Sequence, residues 1–196
     1  MNYFAHLTLA QPTAASKVGN LMGDFMRGVR EQDLPPAVRD GLHNHRLVDR
    51  FTDTHPLVVD SRRLFSPARR RFAGVAMDVL FDHFLIRHWE RFYEQPVPQA
   101  IRDEYDWLRT GQPLMPARMQ VVTGRMVDYD WFSHYADLNN VGEALDRIAG
   151  RVRFANQFRG MIEEIDHHYA ELEVVFLTLY PALRAEVEKQ GVEWVR

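Results

Sequence analysis

Between Asp78 and Trp89 the chain reads DVLFDHFLIRHW, and this segment restricts the fold more than any other. Phe81, Phe84, Leu85, Ile86 and Trp89 call for an apolar environment, so the segment is expected to be a buried helix. Two aspartates, two histidines and an arginine are threaded among them. Carboxylates and imidazoles are costly to bury unless each finds a hydrogen-bond partner or a cation. The surrounding structure must therefore supply both an apolar wall and partners for these polar groups.

The rest of the sequence also has the period of helices. No run alternates between apolar and polar residues with hairpin turns at its ends. Helices are expected near residues 2–10, 14–27, 36–54, 72–93, 97–110, 113–126, 140–151, 154–180 and 182–192. Gly28 suits a left-handed stop after the second, and Pro35-Pro36 opens the third, where a missing N–H costs nothing. Pro96 and Pro98 separate the fourth from the fifth. The expectation is an all-α, single-domain helical bundle over residues 1–196, with residues 95–130 as a candidate lid or subdomain. The chain has 196 residues, which suits one domain with a sizeable core.

Several function classes are disfavoured at this level. The sequence has no cysteine, which excludes disulfides, thiolate metal sites and cysteine nucleophiles. A net charge of −3 does not suit bulk nucleic-acid binding, which wants a basic domain. The apolar start MNYFAHLTLA is short and lacks a basic leader region, and no apolar run reaches the roughly 18 residues of a membrane span. A soluble, cytoplasmic protein is expected, with no nucleic-acid or membrane partner.

Histidine and aspartate concentrate in three places: Asn2–His6 with Gly19–Asp24, Leu42–Asp53, and the segment from Asp78. His45, Asp49 and Asp53 are spaced i, i+4, i+8 and share one helix stripe, as do Asp78 and Asp82. His83 lies about 100° further round that helix. Asp24 sits among Leu21, Met22 and Phe25. Imidazoles and carboxylates without thiolates suit Mn²⁺, Mg²⁺ or Fe²⁺, with zinc less favoured. A cation among aspartates suits phosphoryl chemistry, where it offsets phosphate charge and activates water. The same pairs also admit a plain reading as surface hydrogen bonds. His134 and the His167-His168 pair are set aside, His168 as a core histidine on an apolar helix face, and Tyr169, Phe176 and Tyr180 are expected in the core.

Read together, NYFAHLTLA, GNLMGDFMRG at 19–28, HNHRLVDRFTD at 43–53, DVLFDHFLIRHW at 78–89 and DHHYAELEVVFLTLYP at 166–181 resemble the bacterial acyl carrier protein phosphodiesterase family. The resemblance runs over nearly the whole chain. It implies an all-helical fold distantly related to HD-domain phosphohydrolases, although the adjacent pair here is Asp82-His83, the reverse of the usual order. It implies hydrolysis of holo-acyl carrier protein to the apo form and 4′-phosphopantetheine, with a divalent cation, manganese favoured. By motif it singles out His6, Asp24, His43, His45, Asp49, Asp53, Asp78, Asp82, His83 and His88.

On that footing Asp24, His45, Asp82 and His83 are expected to hold the cation. Asp49 and Asp78 serve as further ligands or orient the histidines. His43 or His6 is expected to protonate the departing serine oxygen. Arg27 and Arg46 are candidates for holding phosphate oxygens, with Arg46 pairing to Asp49 or Asp53 as the plain alternative. The segment SRRLFSPARRR carries Arg62, Arg63, Arg69, Arg70 and Arg71 with no acid. It suits docking of an acidic carrier protein, with Leu64 and Phe65 as apolar anchors, or else a solvated basic loop. Two competing readings remain: a metal phosphohydrolase acting on a nucleotide or other small phosphoester, and a helical interaction module whose His/Asp groups merely pair.

Overall fold

A computed structural model describes residues 1–154 and 156–194. Among the described residues eleven α-helices follow one another, and there is no strand. They are α1 Tyr3–Thr8, α2 Ala14–Met22, α3 Pro36–Thr54, α4 Pro56–Ser61, α5 Ala73–Arg87, α6 Val97–Gly111, α7 Ala117–Asp128, α8 Trp131–His134, α9 Leu138–Ala149, α10 Ile162–His167 and α11 Tyr169–Gln190. Short 3₁₀ turns link several of them, including Gly23–Phe25 after α2.

Helix α5 is the central element, as its sequence demands. Ten of its side chains from Ala76 to Ile86 are not needed at the surface, because α1, α9 and α11 pack around it. Phe4 of α1 meets Trp89 and Phe132, and Phe81 and Phe84 meet Phe176 of α11. Phe176 and Tyr180 are fully buried, as the helical aromatic stripe predicts, whereas Tyr169 is half-buried.

Helices α2 and α3 lie unusually close because glycines face each other at their crossing. A Cβ on Gly41 would come within 2.7 Å of the Ser16 carbonyl oxygen, and one on Gly19 would strike the Val38 carbonyl. This close approach brings the end of α2 against the middle of α3, where His45 and Asp49 lie. Segment 95–130 forms α6 and α7, and its Ile101, Leu108, Met119 and Met126 join the same core. A buried Lys17–Glu104 ion pair of 2.6 Å ties α6 to α2.

Several boundaries differ from the sequence expectation: the helix expected over 72–93 ends at Arg87, and α4 and α8 add helices that were not expected. Helix α2 stops at Met22, and Gly28, with a φ of 81°, turns the chain further on. The stretch expected as one helix from 154 begins only at Ile162 and breaks at His168. Pro181, expected to end it, lies inside α11. Its ring faces solvent, and Leu179, Tyr180 and Leu183 remain buried on the other side, so packing carries the helix past the missing N–H.

Candidate metal centre

The end of α2 builds the site. Asn20 lies in its last turn, where a carbonyl has no N–H four residues on to receive. The His45 ring takes that place: its Nδ1–H donates to the Asn20 carbonyl oxygen at 2.8 Å. Gly23 makes room for it, since a Cβ there would sit on the imidazole. One turn along α3, Asp49 Oδ2 is 3.0 Å from His45 Nε2. From α1, His6 Nε2 reaches Asp49 Oδ1 at 3.1 Å. The two imidazoles stack with centroids 4.1 Å apart. One ligand atom from each of His6, His45 and Asp49 lies within 4.8 Å of the other two, and no other such trio of His, Asp or Glu occurs among the described residues.

The electrostatics of the three are coupled. Burial holds the His6 imidazole down at about 4, so it is neutral at pH 7. Burial works against the His45 cation too, but the hydrogen bond and charge of Asp49 outweigh it and its pKa is raised. Burial alone would raise the Asp49 carboxyl, yet hydrogen bonds from His45 and His6 hold it well below the usual range. The Met1 α-ammonium adds charge nearby, 2.9 Å from Asp78 Oδ1 and 3.6 Å from Asp49 Oδ1.

This geometry fits a divalent cation. Neutral His45 keeps its proton on Nδ1 for Asn20, so Nε2 turns a lone pair toward the Asp49 carboxylate. Only a proton or a cation between them relieves that repulsion. Two imidazole nitrogens and a carboxylate form a borderline-to-hard donor set. The Asp49 side chain is 41% exposed, which leaves the site open on one side.

Of the other residues singled out by sequence, Asp24 lies at the rim, exposed on the 3₁₀ turn after α2. Its carboxyl is raised, first because its neighbours displace part of its hydration and then by the charges of Asp49 and Asp78, with His45 pulling the other way. Asp78 binds the Met1 amine. Asp82 and His83 are expected to hold the cation together with His45, but the structure gives both other partners. The Asp82 carboxylate accepts from the backbone N–H of Phe4 and Ala5, at 3.0 and 2.9 Å, and so caps α1. His83 faces the opposite wall, donating from Nδ1 to the Tyr135 carbonyl at 2.7 Å, with Nε2 2.8 Å from the Tyr169 hydroxyl. His88 pairs with Glu173, and Asp53 with Arg62. His43 and Arg46 both bind Glu31, at 2.7 and 2.8 Å, outside the trio. His134 is exposed, and His168 is half-buried at the junction of α10 and α11.

His6 was singled out for proton transfer, not as a partner of His45 and Asp49. The signal available was its place on a short apolar helix beside Phe4, Ala5 and Leu7, where a polar ring needs a partner.

Two consequences for stability are testable. Asp82→Ala strands the buried N–H groups of Phe4 and Ala5 and is expected to cost about 2–4 kcal/mol in urea unfolding. The second concerns pH. Burial raises Asp82 to about 7, above the unfolded carboxyl, so acidification from pH 7 toward 4 stabilises the fold through it. His6 is lowered to about 4, below the unfolded imidazole, so its contribution is lost over the same fall from pH 6.5 to 4. The two oppose one another in the native chain. Asp82→Asn removes the first, and its melting temperature is expected to fall more steeply on acidification than that of the wild type.

Fold and site together define an all-helical protein with a buried histidine–aspartate centre open on one side. A family model described as "Acyl carrier protein phosphodiesterase" matches residues 1–183. A protein of that name from Yersinia pestis is 35% identical over 193 residues, covering 98% of this chain and all of the relative. One from Escherichia coli K12 is 33% identical over the same shares, and one from Photorhabdus laumondii 34% identical over 97% of this chain and 96% of the relative. No solved structure matches. The chain belongs to the acyl carrier protein phosphodiesterase family.

Proposed function

We propose that this protein cleaves the phosphodiester joining 4′-phosphopantetheine to a serine of holo-acyl carrier protein. A divalent cation, manganese by preference, is held by His6, His45 and Asp49, with Asp24 at the rim. The observation that carries the reading is the convergence of both Nε2 atoms on one open carboxylate. The relatives' name supplies the substrate. The cation, when bound, supplies charge to offset the anionic phosphodiester and to activate water.

The chain's own groups perform the remaining tasks. Asn20 fixes the His45 tautomer and ring direction through its carbonyl. Gly23 leaves the space in which that ring lies. Asp24, with its raised carboxyl, is positioned at the open side to take or return a proton. His6 is neutral and buried, so it serves as a ligand to the cation and not as a proton donor to a leaving serine. His43 and Arg46 extend from α3 beyond the trio. They reach a phosphate only by releasing Glu31.

The arginine segment suits an acidic carrier unevenly. The Arg69 side chain is only 17% exposed and is held by Glu163, Glu164 and the carbonyls of Gln157 and Arg159. Arg63 is 77% exposed, and Arg71 is exposed beside Phe72 and the half-exposed Phe154. Arg62 pairs with Asp53, one turn beyond Asp49, and so joins this face to the site. Docking therefore falls to Arg62, Arg63, Arg70 and Arg71, while Arg69 holds the loop in shape.

The test uses two substrates. Substituting both Arg63 and Arg71 by Glu is expected to raise KM for holo-carrier about tenfold or more, since like charges now face each other. Turnover of a small phosphodiester should be unchanged. Equal loss on both substrates, or on neither, would remove the docking role. Good turnover of nucleotides with none of holo-carrier would favour a small-phosphoester hydrolase.

A further inference from the structure

The polar network behind His45 does not stop at Asn20. Asn20 is fully buried, and its Nδ2 donates to the Ser16 carbonyl at 3.1 Å and to both carboxylate oxygens of Glu193 at 3.2 Å. The Ser16 hydroxyl donates to the same carboxylate and accepts from the Gln11 backbone N–H at 2.9 Å. The other side of the Asn20 amide, Oδ1, accepts from Asn44 Nδ2 at 2.9 Å. Asn44 immediately precedes His45 on α3 and also reaches the Leu9 carbonyl at 3.3 Å.

We propose that Glu193, in the turn after α11, is a positioning residue for His45, acting through Asn20. This rests on the reading of His45 as a site residue given above. Only one orientation of the Asn20 amide satisfies acceptors on one side and the Asn44 donor on the other, and Glu193 supplies two of those acceptors. Glu193 thereby fixes the residue whose carbonyl receives the His45 Nδ1–H, and through Asn44 it fixes the backbone next to His45. The C-terminal turn thus braces the last turn of α2 from behind. The Glu193 carboxylate is partly withdrawn from solvent against Ser16 and Asn20, where its hydrogen bonds are stronger than at a fully exposed position.

The direct reading is the His45 Nδ1–H proton by NMR in the full chain, with chelator present and no substrate. In the wild type a hydrogen bond of 2.8 Å should give a resolved downfield resonance protected from exchange with water. Glu193→Ala is expected to broaden that resonance away and to lower kcat for holo-carrier about tenfold with KM unchanged, in line with other partners that orient a site histidine. Glu193→Gln keeps an acceptor and is expected to restore both. Trp194→Ala, at an exposed neighbour, controls for a general loosening of the tail and should change neither. If Glu193→Ala does not fold, Glu193→Asp withdraws the carboxylate by one methylene and is read in the same way. A His45 resonance identical to wild type in the folded variant overturns the proposal. Because the resonance needs neither cation nor substrate, this result is independent of whether the chain cleaves holo-carrier.

Discussion

His45→Ala is expected to lower kcat/KM for holo-carrier by about 10³-fold, which corresponds to losing about 4 kcal/mol of transition-state stabilisation. The size follows from where the ring sits. His45 is held by Asn20 on one side, faces Asp49 on the other and stacks on His6, so removing it dismantles the whole trio. A second readout separates loss of the site from loss of the fold. Mn²⁺ at about 100 times its dissociation constant stabilises a specific binder by about 2.7 kcal/mol. Wild type should show the corresponding rise in melting temperature. His45→Ala and Asp49→Asn should melt cooperatively yet show no rise. A variant that keeps the manganese shift would place the cation elsewhere.

Gly23→Ala carries the next largest effect, although it adds one methyl group and touches no charge. That methyl would occupy the space of the His45 Nε2 edge. Backbone on both sides is fixed, because α2 and α3 are in contact through Gly19 and Gly41. The imidazole must therefore swing away, breaking its line to Asp49. Overpacking of this kind costs about 1–3 kcal/mol of stability. Displacing a catalytic group by about 1 Å costs about 10²-fold in rate. The expected result is a kcat lowered about 10²-fold with KM nearly unchanged, and Gly23→Ala combined with His45→Ala no worse than His45→Ala alone. If the two losses multiplied instead, Gly23 would act by a route other than His45.

The all-helical architecture was legible because apolar residues recur at helical spacing along most of the chain. The stripe of His45 and Asp49 was legible for the same reason: i, i+4 residues face one way, and the structure finds them 3.0 Å apart. What spacing cannot give is which neighbour a stripe faces. Asp82 and His83 are adjacent in sequence but point about 100° apart, and each meets a different wall, the start of α1 in one case and Tyr135 and Tyr169 in the other. A carboxylate in an apolar helix reads as a ligand, yet two backbone N–H groups from residues 77 and 78 positions away satisfy it equally well. His6 joined the trio from a separate helix, a contact of 43 residues' separation that no local pattern encodes. The run through Pro181 was missed because packing of Tyr180 and Leu183 outweighs one absent hydrogen bond on an exposed face.

The most direct measurement is the intact mass of holo-acyl carrier protein after incubation with chelator-treated protein, with and without added Mn²⁺. A fall in mass equal to the 4′-phosphopantetheine group is expected with Mn²⁺ and wild-type protein, and none without the cation or with Asp49→Asn. An unchanged mass under every condition would contradict the assigned reaction, and full cleavage in the presence of excess chelator would contradict a cation held by His6, His45 and Asp49.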